Sequence, residues 1–301
     1  MDPNKIWVHS PSSILFICGG KYDLKEPHPL SLRDAFLRFC HDRPLDAFEK
    51  LIAEDLNAFF PRGTYSDILK FEADLAQICD IVVVFSESYG SAAELGAFSM
   101  EREIASRLLV VIDDKNFDDI SFITLGPLKA LMRDYGNPAV CVVSRRDLNI
   151  ASIAALAGLD QAALKRFIVA AIDARKKSYH EKSTFDPTRD GHIIKIAVGL
   201  LQHYAALTLD ELALHLDLFG VRKSREEIEN YLLCAEFAGW IKKIRRGVET
   251  YYVSLVDKLA LTFEFKKDSF IERLRWRGDI IVHWNSTDEY RSTAIREARS
   301  P

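Results

Sequence analysis

The chain has 301 residues, 48% hydrophobic and 28% charged, with a net charge of -4, a composition that gives a globular protein room for two domains. That charge balance excludes a chain that coats nucleic acid by bulk charge and leaves only a local basic face for such a role. The opening Met1-Asp2-Pro3-Asn4-Lys5 lacks a signal-peptide pattern and no apolar run approaches the ~18 residues of a membrane helix, so a cytoplasmic location without membrane contact is expected.

Ser13 to Cys18 is a continuous apolar run that stops at Gly19-Gly20, as a strand buried on both faces does when it ends in a tight loop. Ser31 to Cys40 has helical spacing, and the stretch from Leu45 to Phe60 fits either a strand or a continuous helix. After a helical pattern over Tyr65 to Ile78, Ile81 to Phe85 repeats the strand grammar and ends at Ser86. A helix is expected over Ala92 to Arg107, a strand from Leu108 to Ile112 ending at Asp113-Asp114, a helix over Leu125 to Tyr135, and a strand from Ala139 to Val143. Strands alternating with helices imply right-handed crossovers and a parallel sheet. The expected fold class is therefore α/β, a doubly wound parallel sheet.

Asp160 to Lys177 reads as a long helix whose basic end, Arg175-Lys176-Lys177, suits the negative end of its dipole. It closes a first domain over 1–181, and 182–191, rich in Ser, Thr, Pro and Gly, is the expected linker. In 192–301, helical stretches at His192 to Tyr204, Leu209 to Leu216 and Ser224 to Phe237 precede two β-rich segments around a basic Arg245-Arg246-Gly247 turn. Three helices and a hairpin read as a smaller winged-helix domain. Beyond Leu255 an amphipathic stretch, Asp268 to Trp276, leads to a polar tail expected to be poorly ordered past about Ser286. The five cysteines, an odd number without a CxxC pair, read as small buried thiols, and no histidine spacing recruits a metal.

The chemistry concentrates in Phe85-Ser86-Glu87-Ser88-Tyr89-Gly90-Ser91-Ala92-Ala93-Glu94, where a buried strand gives way to a small-residue loop and then a helix. Open parallel sheets bind ligands at such carboxyl ends. Glu94, read as lying in the first helical turn, is held as the anion by the helix dipole and is available to capture or stabilise a developing ribosyl cation. The nicotinamide of NAD+ leaves a pyridinium as a neutral molecule and needs no general acid, whereas a purine does. Only Glu87 and Asp114 are placed to serve as a second acid, which favours NAD+ over a nucleoside. Gly19-Gly20 fits either amides that approach a phosphate or ribose, or a plain tight turn. Arg33 fits either a diphosphate partner or a solvated surface charge, and Asp113 and Asp114 read more simply as turn and cap residues.

Gly90, Ser91, Ala92, Glu94 and Gly96 resemble the nucleoside 2-deoxyribosyltransferase motif D-x-G-T-A-x-E-x-G, in which the Glu attacks the anomeric carbon. The Asp position of that motif is Ser88, a departure that moves the expectation away from transfer between deoxynucleosides. A closer resemblance is to effector proteins of retron anti-phage systems with a deoxyribosyltransferase-like N-glycosidase domain. It is carried by Cys18-Gly19-Gly20, Ser31-Leu32-Arg33, Glu87 to Ser91, Glu94-Leu95-Gly96-Ala97-Phe98-Ser99, Asp114, Ser121-Phe122-Ile123 and Gly126-Pro127. It covers residues 12 to 145 well and continues weakly through the winged-helix region.

The resemblance implies a deoxyribosyltransferase-like, flavodoxin-like first domain with Glu94 at the catalytic position and Gly19, Gly20, Arg33, Glu87, Ser88, Gly90, Ser91 and Asp114 around the substrate. It implies NAD+ or a related nucleotide as substrate with no separate cofactor, and toxicity through depletion of that nucleotide. The implied partners are a reverse transcriptase and its multicopy single-stranded DNA, a branched RNA-DNA molecule, with a higher-order oligomer among the expected assemblies. Arg222, Lys223, Arg225, Lys242, Lys243, Arg245 and Arg246 fall on the expected helix start and wing, where phosphate contacts occur, or form a solvated charged face. Two other readings use the same residues: a non-catalytic nucleotide sensor controlling a DNA binder, favoured by Ser88, and a salvage deoxyribosyltransferase, which accounts poorly for the second domain.

Overall fold

A computed structural model of the chain describes residues 5–178, 183–264 and 273–300. Met1–Asn4, position 182 of the expected linker and positions 268–272 of the expected amphipathic stretch lie outside the described residues. In chain order the strands are β1 (Ile6–Val8), β2 (Ile14–Cys18), β3 (Glu49–Ile52), β4 (Ile81–Phe85), β5 (Leu108–Asp113), β6 (Val140–Val143), β7 (Ala206–Leu207), β8 (Ile241–Arg246), β9 (Glu249–Ser254) and β10 (Leu261–Phe263). Two compact units emerge, each assembled from separated segments: Ser13–Asp55 with Cys79–Glu181, and Met1–Ser12 with Leu56–Ile78 and Lys182–Pro301. The boundaries expected at 181 and 191 are contiguous, whereas β1 pairs with β10 and so joins the C-terminal segment.

In the first unit, five parallel strands lie in the order β3-β2-β4-β5-β6. Counted within this sheet the order is 2-1-3-4-5, that of flavodoxin-like doubly wound folds, whose topological switch point falls between the first and third strands, here β2 and β4. Every residue of β2, β4 and β5 is buried, because helices cover both sheet faces. Leu15, Ile17, Ile81, Val83 and Phe85 turn to one side and share a core with Phe36 of helix Leu32–Leu37 and with Leu164, Ile168 and Ile172 of helix Gln161–Ser178. On the other side Phe16 meets Phe98 of helix Tyr89–Met100, ring centroids 6.4 Å apart.

Arg175 ties helix 161–178 to the amino end of β5: its Nε donates to the Leu108 carbonyl at 2.9 Å and Nη2 to those of Ala105 and Ser106 at 3.0 and 2.6 Å. The uncertain stretch after Leu45 resolves into β3 flanked by short helical turns, so it holds a strand. All five cysteines are buried free thiols; burial pushes the Cys141 thiol up to about 12.

In the second unit, helix Asp190–Tyr204, β7, helices Leu209–Leu218 and Arg225–Phe237, and the hairpin β8–β9 follow in sequence, with the antiparallel order β7-β9-β8. Thr208 with Glu211, and Ser224 with Glu227, form reciprocal capping boxes that start the second and third of these helices. The hairpin loop is Gly247-Val248, with Gly247 at φ +60°, so Arg245 and Arg246 lie in strand β8 and not in the turn. The tail expected to be poorly ordered past Ser286 instead forms helix Glu289–Arg299. Its Ala294, Ile295 and Ala298 make a narrow apolar stripe that packs on Ile244, Tyr251 and Val253 of the hairpin. Among the described residues no helix is long and apolar enough to cross a membrane.

Candidate active site

The expected site residues Gly19, Gly20, Arg33, Glu87, Ser88, Ser91 and Glu94 gather beyond the carboxyl ends of β2 and β4, at the switch point. Helix 89–100 begins one turn earlier than its sequence suggests, because Ser88 caps it. The Ser88 hydroxyl accepts from Ser91 N at 3.1 Å, and Ser91 Oγ accepts from Ser88 N at 2.9 Å and from Glu87 N at 3.1 Å. Glu94 therefore sits in the second turn, with no acidic residue in the first. The macrodipole argument for its ionisation fails at that depth, since the dipole acts within the first turn.

What surrounds Glu94 acts in the opposite sense. Burial raises its carboxyl to about 6, the negative charge of Glu54 adds to the rise, and the Arg33 guanidinium opposes it. Oxygen Oε2 is buried without a hydrogen-bond partner. A carboxylate that ionises close to neutral pH and has an unengaged oxygen is equipped to meet a developing cation.

Arg33 is fully buried, not solvated, and its terminal nitrogens Nη1 and Nη2 grip Glu54 at 2.7 and 2.5 Å. Its guanidinium also lies 5.1 Å from the centroid of the Tyr22 ring. Glu54, Asp55 and Tyr22 were not singled out from the sequence. Glu54 and Asp55 leave the end of β3, within the stretch whose structure the sequence leaves open. The Asp55 carboxyl is raised by burial and by Glu54; the Tyr22 phenol is raised by burial, then by Asp55 and Glu54.

Glu87 does structural work here and is not a free second acid. Its Oε1 accepts from Gly20 N at 3.2 Å and Arg33 N at 3.0 Å, and its Oε2 from Leu32 N at 2.7 Å. It thereby binds the end of β4 to the loop after β2 and to the amino end of helix 32–37. Burial still pushes its carboxyl up, against the pull of these amides.

The glycine pair supplies space for both side chains. A Cβ on Gly19 would stand 2.8 Å from Phe85 Cβ and 3.0 Å from Arg33 Cδ, at a φ of +157°; one on Gly20 would stand 3.0 Å from Glu87 Cδ. A Cβ on Gly90, by contrast, would meet only Ser88 Oγ, at 3.8 Å. Gly19→Ala is expected to cost about 2 kcal/mol or more through strain and overpacking. Urea unfolding would show it as a lower midpoint at unchanged slope; an unchanged midpoint would mean that the loop relaxes freely.

Asp114 follows β5, the strand beside β4, where Oδ1 accepts from Lys115 N at 2.9 Å and Oδ2 from Arg145 N at 3.3 Å. Asp113 is buried, caps helix Asp114–Asp118 and pairs with Arg145 at 2.5 Å. Both thus act as turn and cap residues. The Phe122 and Gly126-Pro127 residues line, with Gly96, Ser99 and Met100, a shallow groove of about 710 Å³ that does not include Glu94.

Of the seven cations expected to meet nucleic acid, four face carboxylates. Lys223 pairs with Asp190 and Glu227 at 3.1 and 3.2 Å, Arg222 lies 3.8 Å from Asp217, Arg225 pairs with Asp210 and Arg246 with Glu297. Lys242, Lys243 and Arg245 are exposed on β8 without a carboxylate partner among the described residues, Lys243 lying 5.6 Å from the Tyr252 ring centroid. Helix 225–237 carries Glu226, Glu227, Glu229 and Glu236, and its far end is covered by the 56–78 segment. Phe237 meets Phe59 and Phe71, with centroids 4.9 and 6.2 Å apart, and Tyr65 OH donates to the Asn230 carbonyl at 3.2 Å. The unopposed positive charge is therefore on the strand and not on the helix.

Comparison with known proteins gives these features a context. The chain is 29% identical over 139 residues to the Escherichia coli "Retron Ec73 putative ribosyltransferase/DNA-binding protein", a match that covers 44% of this chain and 42% of that protein. It is 32% identical over 103 residues to the "Retron Ec86 putative ribosyltransferase/DNA-binding protein" of the same species, covering 31% of this chain and 33% of that one. The matched segments thus span less than half the length of either relative. The profile of the STM3845 retron effector protein family matches residues 29–243, most of the chain, including Arg33, Glu54, Glu87, Glu94 and the β8 cations up to Lys243. The chain belongs to the STM3845 retron effector protein family.

Proposed function

We propose that the protein is a toxic effector of anti-phage defence that cleaves the N-glycosidic bond of NAD+ or a related nucleotide, with Glu94 as nucleophile. The observation that carries this reading is the unpartnered, buried oxygen of Glu94 at the switch point of the sheet, on a carboxyl group poised near pH 6. The names of the two relatives, each pairing ribosyltransferase with DNA binding, support it.

The ionised Glu94 oxygen forms a bond to the anomeric carbon as the carbon–nitrogen bond breaks, and the departing pyridine nitrogen keeps the electron pair. Nicotinamide leaves neutral, so no acid is required of Glu87, whose oxygens are engaged by three amides. Water then attacks the ribosyl ester, loses a proton to solvent and frees Glu94. Incubation of the protein with NAD+ and, separately, with deoxynucleosides, alone and with its reverse transcriptase and branched RNA-DNA, tests the reading by chromatography of released bases. Nicotinamide release is the expected result. Base exchange between deoxynucleosides would favour a salvage transferase, and nucleotide binding without any product would favour a sensor.

In the same reading the second unit is a winged-helix domain that restrains the effector by contacting nucleic acid. The order helix, short strand, helix, helix, hairpin supports that assignment. The contact runs through the wing strand: Lys243→Gln with Arg245→Gln is expected to reduce the slope of log affinity against log salt by about one for each lost phosphate contact, whereas Arg225→Gln, already paired with Asp210, leaves it unchanged. A slope lowered by Arg225→Gln alone would move the contact to the helix.

A further inference from the structure

The ion pair between Arg33 and Glu54 is unequal. The Arg33 side chain has no solvent exposure, while that of Glu54 is 45% exposed. Arginine keeps its charge under all ordinary conditions, so a guanidinium so deeply buried needs hydrogen-bond acceptors across its terminal nitrogens. Glu54 supplies two anionic ones in a two-bond fork, and Nε is the one guanidinium nitrogen that is buried without a partner.

The backbone before Glu54 is anchored within its own unit, where β3 pairs with β2 and Ala53 is 7% exposed. A phosphate group could reach the Arg33 fork only by evicting a carboxylate whose backbone is fixed. Arg33 is therefore a counter-charge inside the site and not a seat for a diphosphate.

We propose that Glu54 is a positioning and specificity-determining residue: it withholds Arg33 from phosphate and leaves the site with a negative balance that selects ribosyl substrates whose base is cationic. The proposal rests on the reading of Glu94 as the ribosyl-directed nucleophile. The charged and titratable groups involved are Arg33 from helix 32–37, Glu54 and Asp55 after β3, Tyr22 in the loop after β2, and Glu94 itself. One guanidinium stands among the carboxyl groups of Glu54, Asp55, Glu94 and the amide-bound Glu87. A pyridinium ribosyl group placed at Glu94 brings positive charge to that balance, whereas a phosphate placed at Arg33 would bring more of the sign already in excess, so the diphosphate of the same nucleotide must lie away from Arg33.

The charge of Glu54 also governs when Glu94 ionises. Removing it leaves the pull of Arg33 on Glu94 without the opposing charge of Glu54, so the Glu94 midpoint falls and the nucleophile becomes available at lower pH. The test uses the full-length protein without substrate, so that its outcome is separate from whether NAD+ is hydrolysed. Carbon-13 NMR of labelled glutamate carboxyls, with Glu94 assigned by Glu94→Gln, follows the Glu94 titration in wild type, Glu54→Gln and Glu54→Ala. Calorimetry follows the binding of inorganic pyrophosphate to the same proteins. The two variants guard against a single misfolded one, since both remove the charge and Ala admits water to the guanidinium.

The expected result is a Glu94 midpoint lower by about half a pH unit or more in both variants. Pyrophosphate should bind the variants at least about tenfold more tightly than wild type. Glu54→Asp, which keeps the charge, should hold the midpoint close to the wild-type value. An unchanged midpoint in both charge-removing variants, or pyrophosphate binding wild type as tightly as the variants, would overturn the proposal.

Discussion

Glu94→Gln is expected to lower base release by about a thousandfold or more while making the protein more stable at neutral pH. The loss follows from removing a nucleophile, for which an amide oxygen is a poor substitute. The gain follows from the environment of the carboxyl. A group raised in the folded state to about 6 from the usual glutamate value near 4.5 binds its proton more tightly folded than unfolded. Below the unfolded value both states hold the proton, and Glu94 costs the fold nothing. As pH rises through about 6 the folded protein must carry a buried negative charge, and that part of its stability is lost. Glutamine avoids the charge, so its advantage is absent near pH 4, grows between about 4.5 and 6, and reaches about 1–2 kcal/mol by pH 7.5. Urea midpoints of the two proteins at pH 4 and pH 7.5 check the sign. A variant less stable than wild type at the higher pH would mean that Glu94 is a structural partner and not a strained functional group.

Glu87→Ala is expected to have the largest effect on the fold of the first unit, about 3–5 kcal/mol. Three backbone amides, those of Gly20, Leu32 and Arg33, lose their acceptor at once. Each amide left buried without a partner costs about 1–3 kcal/mol, reduced where water enters the space. Glu87→Gln separates hydrogen bonding from volume: it keeps one acceptor oxygen and directs an NH2 at amides that also donate, so an intermediate loss is expected. Chemical denaturation of the three proteins at one pH ranks them. If the alanine variant unfolds at the wild-type midpoint, the loop after β2 is held by other contacts. If it folds but loses base release, Glu87 acts through the placement of Arg33.

Much of the sheet was legible because burial on both faces leaves a plain mark. The apolar runs ending at Cys18, Phe85, Ile112 and Val143 became β2, β4, β5 and β6, with β5 extended by one residue to Asp113. Strand β3 was not legible, since Glu49-Lys50-Leu51-Ile52 lies at the sheet edge and only Leu51 of its four residues is buried. Its obscurity hid Glu54 and Asp55, which follow it closely, and of these Glu54 raises the Glu94 carboxyl. Helix 289–299 escaped notice for a different reason: two alanines and one isoleucine form its buried stripe, and Arg291 is itself buried, pairing with Glu211 at 2.6 Å and Asp288 at 3.1 Å.

The Glu94 helix starts three residues before the expected Ala92, on a cap that the sequence itself carries. Ser88 and Ser91 are spaced as a cap and its third-position partner, yet Tyr89-Gly90-Ser91 reads as a turn because glycine is common there. Moving the helix start by three residues removed the dipole as the cause of ionisation and left burial and Glu54 as the controlling influences. Arg33 changed in a similar way. A lone arginine near a helix start gives no sign that it is buried, and its partner lies 21 residues further on.

Covalent trapping tests most directly whether Glu94 is the nucleophile that bonds to the ribosyl group. The protein is mixed with NAD+, quenched in acid during turnover, digested and analysed by mass spectrometry. A mass gain of one ADP-ribosyl unit is expected on the peptide containing Glu94, absent in Glu94→Gln. The same mass on Glu54, Asp55 or Asp114, or nicotinamide release undiminished in Glu94→Gln, would contradict it.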